Sequence, residues 1–193
     1  MGSQEYYDPL LKEDQLVEWL TAVFLFGASV LSFIVFFKLK DHKSRLFFLL
    51  FAIFCLLSAL EEISWGQRVF NIASNDFFIE NSSQGEINVH NVFQKWFDMM
   101  TKHVAGVVLV IYGAFLPYLA EKIPALKRIF NNSIFLLPPP HLILSFIIAG
   151  IMMFDRPTGF EEELGEFFFS VCFFLFILFE LLSARFISPG KQV

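Results

Sequence analysis

Two glutamates, Glu61 and Glu62, follow a run from Leu46 to Leu60 that carries no charge. They open the stretch Glu61-Glu62-Ile63-Ser64-Trp65-Gly66-Gln67-Arg68, and Glu86, Asn88, His90 and Asn91 follow within one short segment. A second apolar run, Leu142 to Phe154, ends on Asp155 and Arg156, and a third begins behind Glu161, Glu162, Glu163 and Glu166. Carboxylates near the surface of an apolar medium have raised proton affinity and serve as general bases. Imidazole and carboxylate together ligate divalent ions. Guanidinium groups such as Arg68 and Arg156 hold phosphate or carboxylate head groups. The catalytic candidates are therefore Glu61, Glu62, His90 and Asp155. The binding candidates are Trp65, Gln67, Arg68, Glu86, Asn88, Asn91, Arg156 and Glu162. A divalent metal would draw on Glu62, Glu86, His90 and Asp155. A purely structural reading stands beside this one: the same glutamates could pair with Arg156 and lock two helices together.

What must position these residues is a set of membrane helices. The chain has 193 residues, of which 56% are hydrophobic and 28 are Phe, and its mean hydropathy is +0.61. A soluble core of this size could not absorb that apolar surface, so the class is integral membrane. The net charge of −5 argues against a nucleic-acid partner. Cys55 and Cys172 both lie in apolar runs and read as reduced packing residues. The acidic N-terminal stretch lacks the basic lead of a secretory signal, so the first apolar segment is expected to remain as a helix.

A spanning helix needs about 20 apolar residues. The expected architecture is all-α: a single domain, 1–193, forming a polytopic bundle of five spans over 19–37, 44–66, 102–120, 138–156 and 161–186. Val89, Val92, Phe93, Trp96 and Met100 recur at helical spacing, which predicts an interfacial amphipathic helix over 88–101. Thr158 stands three residues before Glu161 as a capping box for the last span.

The basic residues Lys38, Lys40, Lys43, Arg45, Lys122, Lys127, Arg128, Arg185 and Lys191 fall on one side, and all acids but Asp41, Glu121 and Glu180 fall on the other. By the positive-inside rule this places the N-terminus outside, the C-terminus in the cytoplasm and the acidic cluster at the outer face of the cell membrane. A span entering at Ser44 and rising about 1.5 Å per residue reaches the far surface near Trp65, which leaves Glu61 and Glu62 about a turn below it. Charge at that depth is costly and normally faces the bundle interior or a wet cavity. Adjacent helical residues are about 100° apart, so one glutamate can face inward while the other reaches the surface.

Glu61, Glu62, Ser64, Trp65, Gly66, Gln67 and Arg68, followed by Gln84, Glu86, Asn88, His90 and Asn91, resemble a signature of a family of multispan bacterial membrane proteins. The resemblance covers about residues 58–91 and implies no particular activity. Membrane CAAX-type proteases also pair two glutamates with an arginine. Here Arg68 lies at a different spacing, and their membrane histidine motifs are absent.

Three functions fit these residues. The first is a membrane hydrolase or transferase acting on a lipid or lipid-linked substrate. The second is a non-catalytic subunit or assembly factor that packs on a membrane-protein partner. The third is a proton or cation pathway. In each the bilayer itself is a partner.

Overall fold

A computed structural model describes residues 16–82, 85–97, 100–154 and 161–183; side chains at 68, 90, 94, 97 and 100–102 are not described. The described residues are helical and contain no strand. Four helices are long and apolar enough to cross a membrane: Leu16–Lys38, His42–Glu62, His103–Lys122 and Glu161–Leu182.

Helix α1 (Leu16–Lys38) is the central element, packed on both α2 (His42–Glu62) and α10 (Glu161–Leu182). Its inward face is small: Thr21, Ala22, Ala28, Ser29 and Ser32 are buried beside Leu25 and Val35. Small residues let helix backbones approach where no hydrophobic force drives association. Ser29 Oγ donates to the Ala52 carbonyl at 2.8 Å, fixing the α1–α2 register. Below this contact, α2 and α10 meet through phenyl rings. Phe173 stands 5.4 Å from Phe51, 5.8 Å from Phe54 and 6.0 Å from Phe146, in edge-on or tilted arrangements that ring quadrupoles favour.

The fifth apolar segment differs from a plain span. Helix α9 (Ile143–Met152) is preceded by a single turn, Pro140–Leu142, and together they are shorter than a membrane helix. The residues ahead of it are extended, with Pro139 at φ −67° and ψ 146°, and Pro138 and Pro139 are buried. Consecutive prolines supply no N–H groups and hold this conformation. Tyr112 Oη donates to the Leu136 carbonyl at 2.5 Å, so one backbone acceptor of the extended stretch is satisfied inside the bundle.

Helix α9 packs on α10 and on α6 (Met100–Val110). The chain widens into a π-turn over Ile111–Phe115 before α7 (Leu116–Lys122), with Leu116 N–H donating to the Ile111 carbonyl. Pro117 explains this. It has no N–H for the carbonyl four residues back, and its ring crowds that carbonyl, so the helix loosens by one residue. Gly113 sits in the loosened turn against Phe146.

Element boundaries differ from those expected. Helix α2 ends at Glu62 instead of continuing to 66, because Ser64, Trp65 and Gly66 all take positive φ. The interfacial segment forms α5 (Val89–Phe97), while Met100 opens the next helix. In α5, Val92 and Asn91 turn inward, and Val89, Phe93 and Trp96 are exposed on the protein surface, so the apolar stripe is divided. Two short helices were not expected: α4 (Asp76–Asn81), capped by Asn75 Oδ1 accepting from Phe78 N at 3.1 Å, and α8 (Pro124–Asn132). Helix α3 (Gln67–Phe70) completes the set. Thr158, the last turn of the expected 161–186 span, and the Arg185–Lys191 basic tail lie outside the described residues.

Charge separates along the bundle. Lys38, Lys43, Arg45, Lys122, Lys127 and Arg128 lie at one end, and Glu18, Glu61, Glu62, Glu161, Glu162 and Glu163 occupy the opposite helix termini. At the basic end Asp41 caps α2. Its Oδ2 accepts from Ser44 N and Oγ, both at 2.9 Å. The bond from the Ser44 backbone, then that from its hydroxyl, holds the Asp41 carboxyl below its ordinary 3.8. A lowered folded-state value means stability that is complete above the unfolded value and lost as pH falls through the folded one. Acid titration below about pH 4 is therefore expected to loosen the start of α2, read as faster amide exchange at 44–47. Asp41→Asn, which retains the acceptor, should remove that acid step; an unchanged step would assign it elsewhere.

Candidate functional site

Helix α2 stops at a strained turn. Ile63 leaves the helical region at φ −100°, ψ 20°. Ser64 (φ 45°), Trp65 (φ 55°) and Gly66 (φ 80°) then run in the left-handed region. Gly66 adopts this freely, but each side-chain-bearing residue costs roughly 1–2 kcal/mol there. Asn71 (φ 51°) closes α3 in the same conformation, which asparagine tolerates. Two consecutive strained residues persist only where their surroundings over-determine them.

The surroundings are the second half of the sequence signature. Ser64 is fully buried, and its Oγ donates to Glu86 Oε2 at 2.5 Å. Gln67 bonds in two directions: its Oε1 accepts from Ile87 N, and its Nε2 donates to Ser74 Oγ, both at 2.7 Å. Asn88 also acts twice. Its Oδ1 accepts from Asn91 N at 3.0 Å and caps α5, while its Nδ2 donates to the Glu61 carbonyl at the end of α2, at 2.9 Å. Trp65 Nε1 donates to Glu61 Oε1 at 2.6 Å. Lys95 Nζ reaches the Glu80 carbonyl at 2.7 Å and ties α5 to α4.

Glu62 has a different setting. The Ser29–Ala52 contact aligns α1 with α2 so that Glu18 and Glu62 reach the same level. Glu18, Trp19, Glu62 and Ile63 line a shallow surface recess. Trp19 and Trp65 are each 42% exposed, and Trp96 is 56% exposed at the same end. The arrangement is an acidic surface bearing indole rings, suited to a cationic group through charge and cation–π attraction.

Of the candidates read from the sequence, the structure brings together Glu61, Trp65, Gln67, Glu86, Asn88 and Asn91. Glu62 faces α1. Glu162 stands in the first turn of α10 with one carboxylate oxygen buried. Arg68 lies on α3 and His90 in the first turn of α5, with side chains that are not described. Asp155 and Arg156 lie outside the described residues, and so does their expected approach to Glu61 or Glu62. Gln84 does too.

Among the described residues no three of His, Cys, Asp and Glu converge to hold a metal ion. Of the four metal candidates, Glu86 is engaged by Ser64, and Glu62 lies in the recess with Glu18. Near α9, His103 packs its ring 5.4 Å from Phe154. Ser64, Glu18 and Trp19 were not among the candidate site residues. Gly66 carried a signal for the first of them, since glycine just past an apolar helix marks a stop. Glu18 and Trp19 carried none beyond their place at a helix start.

Comparison of the chain with protein-family models, curated proteins and solved structures gives no match.

Proposed function

We propose that this is an integral membrane protein whose acidic end lies outside and whose basic end lies at the cytoplasmic surface of the cell membrane. Its acidic end serves as a docking platform for a cationic segment of a membrane partner, and the protein acts as a non-catalytic subunit or assembly factor. One observation carries this reading: the signature side chains direct their hydrogen bonds at each other, building a cap at the acidic end where Glu18, Trp19 and Glu62 adjoin. The resemblance over residues 58–91 belongs to the same reading, its residues holding a shape instead of running a reaction.

A fifth crossing fits this topology. Extended residues advance about 3.1 Å each and helical ones about 1.5 Å. The extended stretch before Pro140 and the helix behind it together come close to the roughly 30 Å of a bilayer core.

The test uses a photo-crosslinking residue at position 19 in the full chain, in native membranes. A discrete adduct is expected, and Glu62→Lys should abolish it while the chain still inserts as a helical bundle. An adduct that survives Glu62→Lys would sink the platform.

A second reading has its own observation. A serine hydroxyl 2.5 Å from a carboxylate, in a left-handed turn, is a geometry found where strain is kept for function. On that reading the protein is a hydrolase or transferase working on a lipid or lipid-linked substrate at the acidic face, with Glu86 as the general base for Ser64. Glu86→Gln keeps shape and removes charge. For an enzyme it should insert normally and stop turnover. For a docking platform it should leave the position-19 crosslink in place.

A further inference from the structure

Helix α8 lies at the basic end, away from the acidic platform. Ile123, extended at φ −117° and ψ 100°, and Pro124 at the first helical position separate it from α7. The chain therefore leaves the direction of the preceding span. Its residues divide cleanly on a helix: Ala125, Leu126, Ile129 and Phe130 share one face, and Lys127, Arg128, Asn131 and Asn132 the other. The polar face is exposed. The apolar face is only partly covered, with Leu126 and Phe130 half-buried and Ile129 62% exposed. Ile123 and Phe135, on either side of α8 in the chain, are also exposed, at 44% and 61%.

Two contacts hold the helix at the end of the bundle. Lys43 Nζ donates to the Asn132 carbonyl at 2.9 Å, so the first turn of α2 grips the C-terminus of α8. Ser133 Oγ accepts from Phe135 N at 3.0 Å and turns the chain toward the extended proline stretch. The grip gathers Lys43, Lys127 and Arg128 around one short helix, with Lys122 one turn ahead of it.

We infer that α8 is an interfacial helix that binds anionic lipid head groups, with Leu126, Ile129 and Phe130 seated at the boundary of the acyl chains and Lys127 and Arg128 on the lipid phosphates. The occupant follows from charge and position. A helix joined directly to a membrane span, basic on one face and apolar on the other, meets an anionic leaflet with both faces satisfied.

The test places an environment-sensitive fluorophore on the Ile129→Cys variant of the full chain; both natural cysteines are buried and should label poorly. The protein is reconstituted in phosphatidylcholine vesicles containing equal small fractions of spin-labelled phosphatidylglycerol or spin-labelled phosphatidylcholine. The anionic quencher is expected to act at least about twofold more strongly, and the preference should fade when salt shortens the screening length. Lys127→Gln with Arg128→Gln should bring the two quenchers level without moving the fluorophore into water. Equal quenching by both lipids in the parent variant overturns the proposal. So does a fluorophore that is water-exposed, or shielded from both quenchers by another part of the chain.

Discussion

Gly113→Ala is expected to destabilise the bundle by at least about 1–3 kcal/mol, the usual cost of overpacking a core. A methyl group built at position 113 falls on three atoms of the Phe146 ring, well inside the 3.0 Å that real Cβ atoms keep. Phe146 has no room to yield. It is fully buried, and its ring already stands 6.0 Å from both Phe169 and Phe173. The π-turn cannot shift either, because Pro117 fixes it from the far side. Gly150→Ala meets one methyl of Val110, which is only partly buried and can change rotamer. The expected order of damage is therefore Gly113, then Gly150, then Gly27, whose added Cβ would approach Phe174 at 3.0 Å. Unfolding in mild detergent, followed by temperature or SDS titration, reads the order directly. Phe146→Leu in the Gly113→Ala background should recover part of the loss, since neighbours in contact are non-additive. Gly113→Ala at parental stability would remove the close α9–π-turn packing from this account.

Four apolar spans were legible in the sequence because nothing else explains runs such as Trp19 to Phe37: length and absence of charge suffice. The end of α2 was not. Hydropathy measures what a residue prefers to touch and says nothing of φ, so the helix was carried through Ser64 and Trp65 when only Gly66 signalled the stop. The span expected over 138–156 is a short helix instead, and its buried proline entry depends on Tyr112, which is remote in sequence. For the site, residue types showed that Glu61 to Asn91 belong together. They could not show that Glu86 accepts from Ser64 or that Gln67 bridges Ile87 and Ser74, because amides and carboxylates suit a catalytic pocket and a structural cap equally. The placing of Glu62 beside Glu18 and Trp19 required a helix register set by Ser29 and Ala52, which no local pattern encodes. Helix α8 was legible in principle: its apolar and basic residues alternate in pairs, but its nine residues were read as a basic loop.

The Ser64–Glu86 pair separates a cap from a catalytic centre. If the bond holds the strained turn, Glu86→Ala leaves a fully buried hydroxyl without its acceptor, a cost of about 1–3 kcal/mol. Ser64→Ala removes a bond to a charged group, worth roughly 1.5–3 kcal/mol. Both changes release residues held in the left-handed region, so some strain relief offsets each loss. Removing both partners strands neither, and the double variant should be more stable than the two single costs summed, by a coupling of about 0.5–3 kcal/mol. Glu86→Gln, which keeps an oxygen acceptor, should fall between parent and Glu86→Ala. A second readout follows the cap itself. The Ile87 amide is held by Gln67 Oε1 and the Asn91 amide by Asn88 Oδ1, so both should exchange faster in either single variant while amides in α1 keep their protection. Single variants that melt with the parent, with unchanged exchange at Ile87, would show that the bond bears no structural load. The strained turn would then be left to chemistry, and the enzyme reading would take precedence over the docking platform.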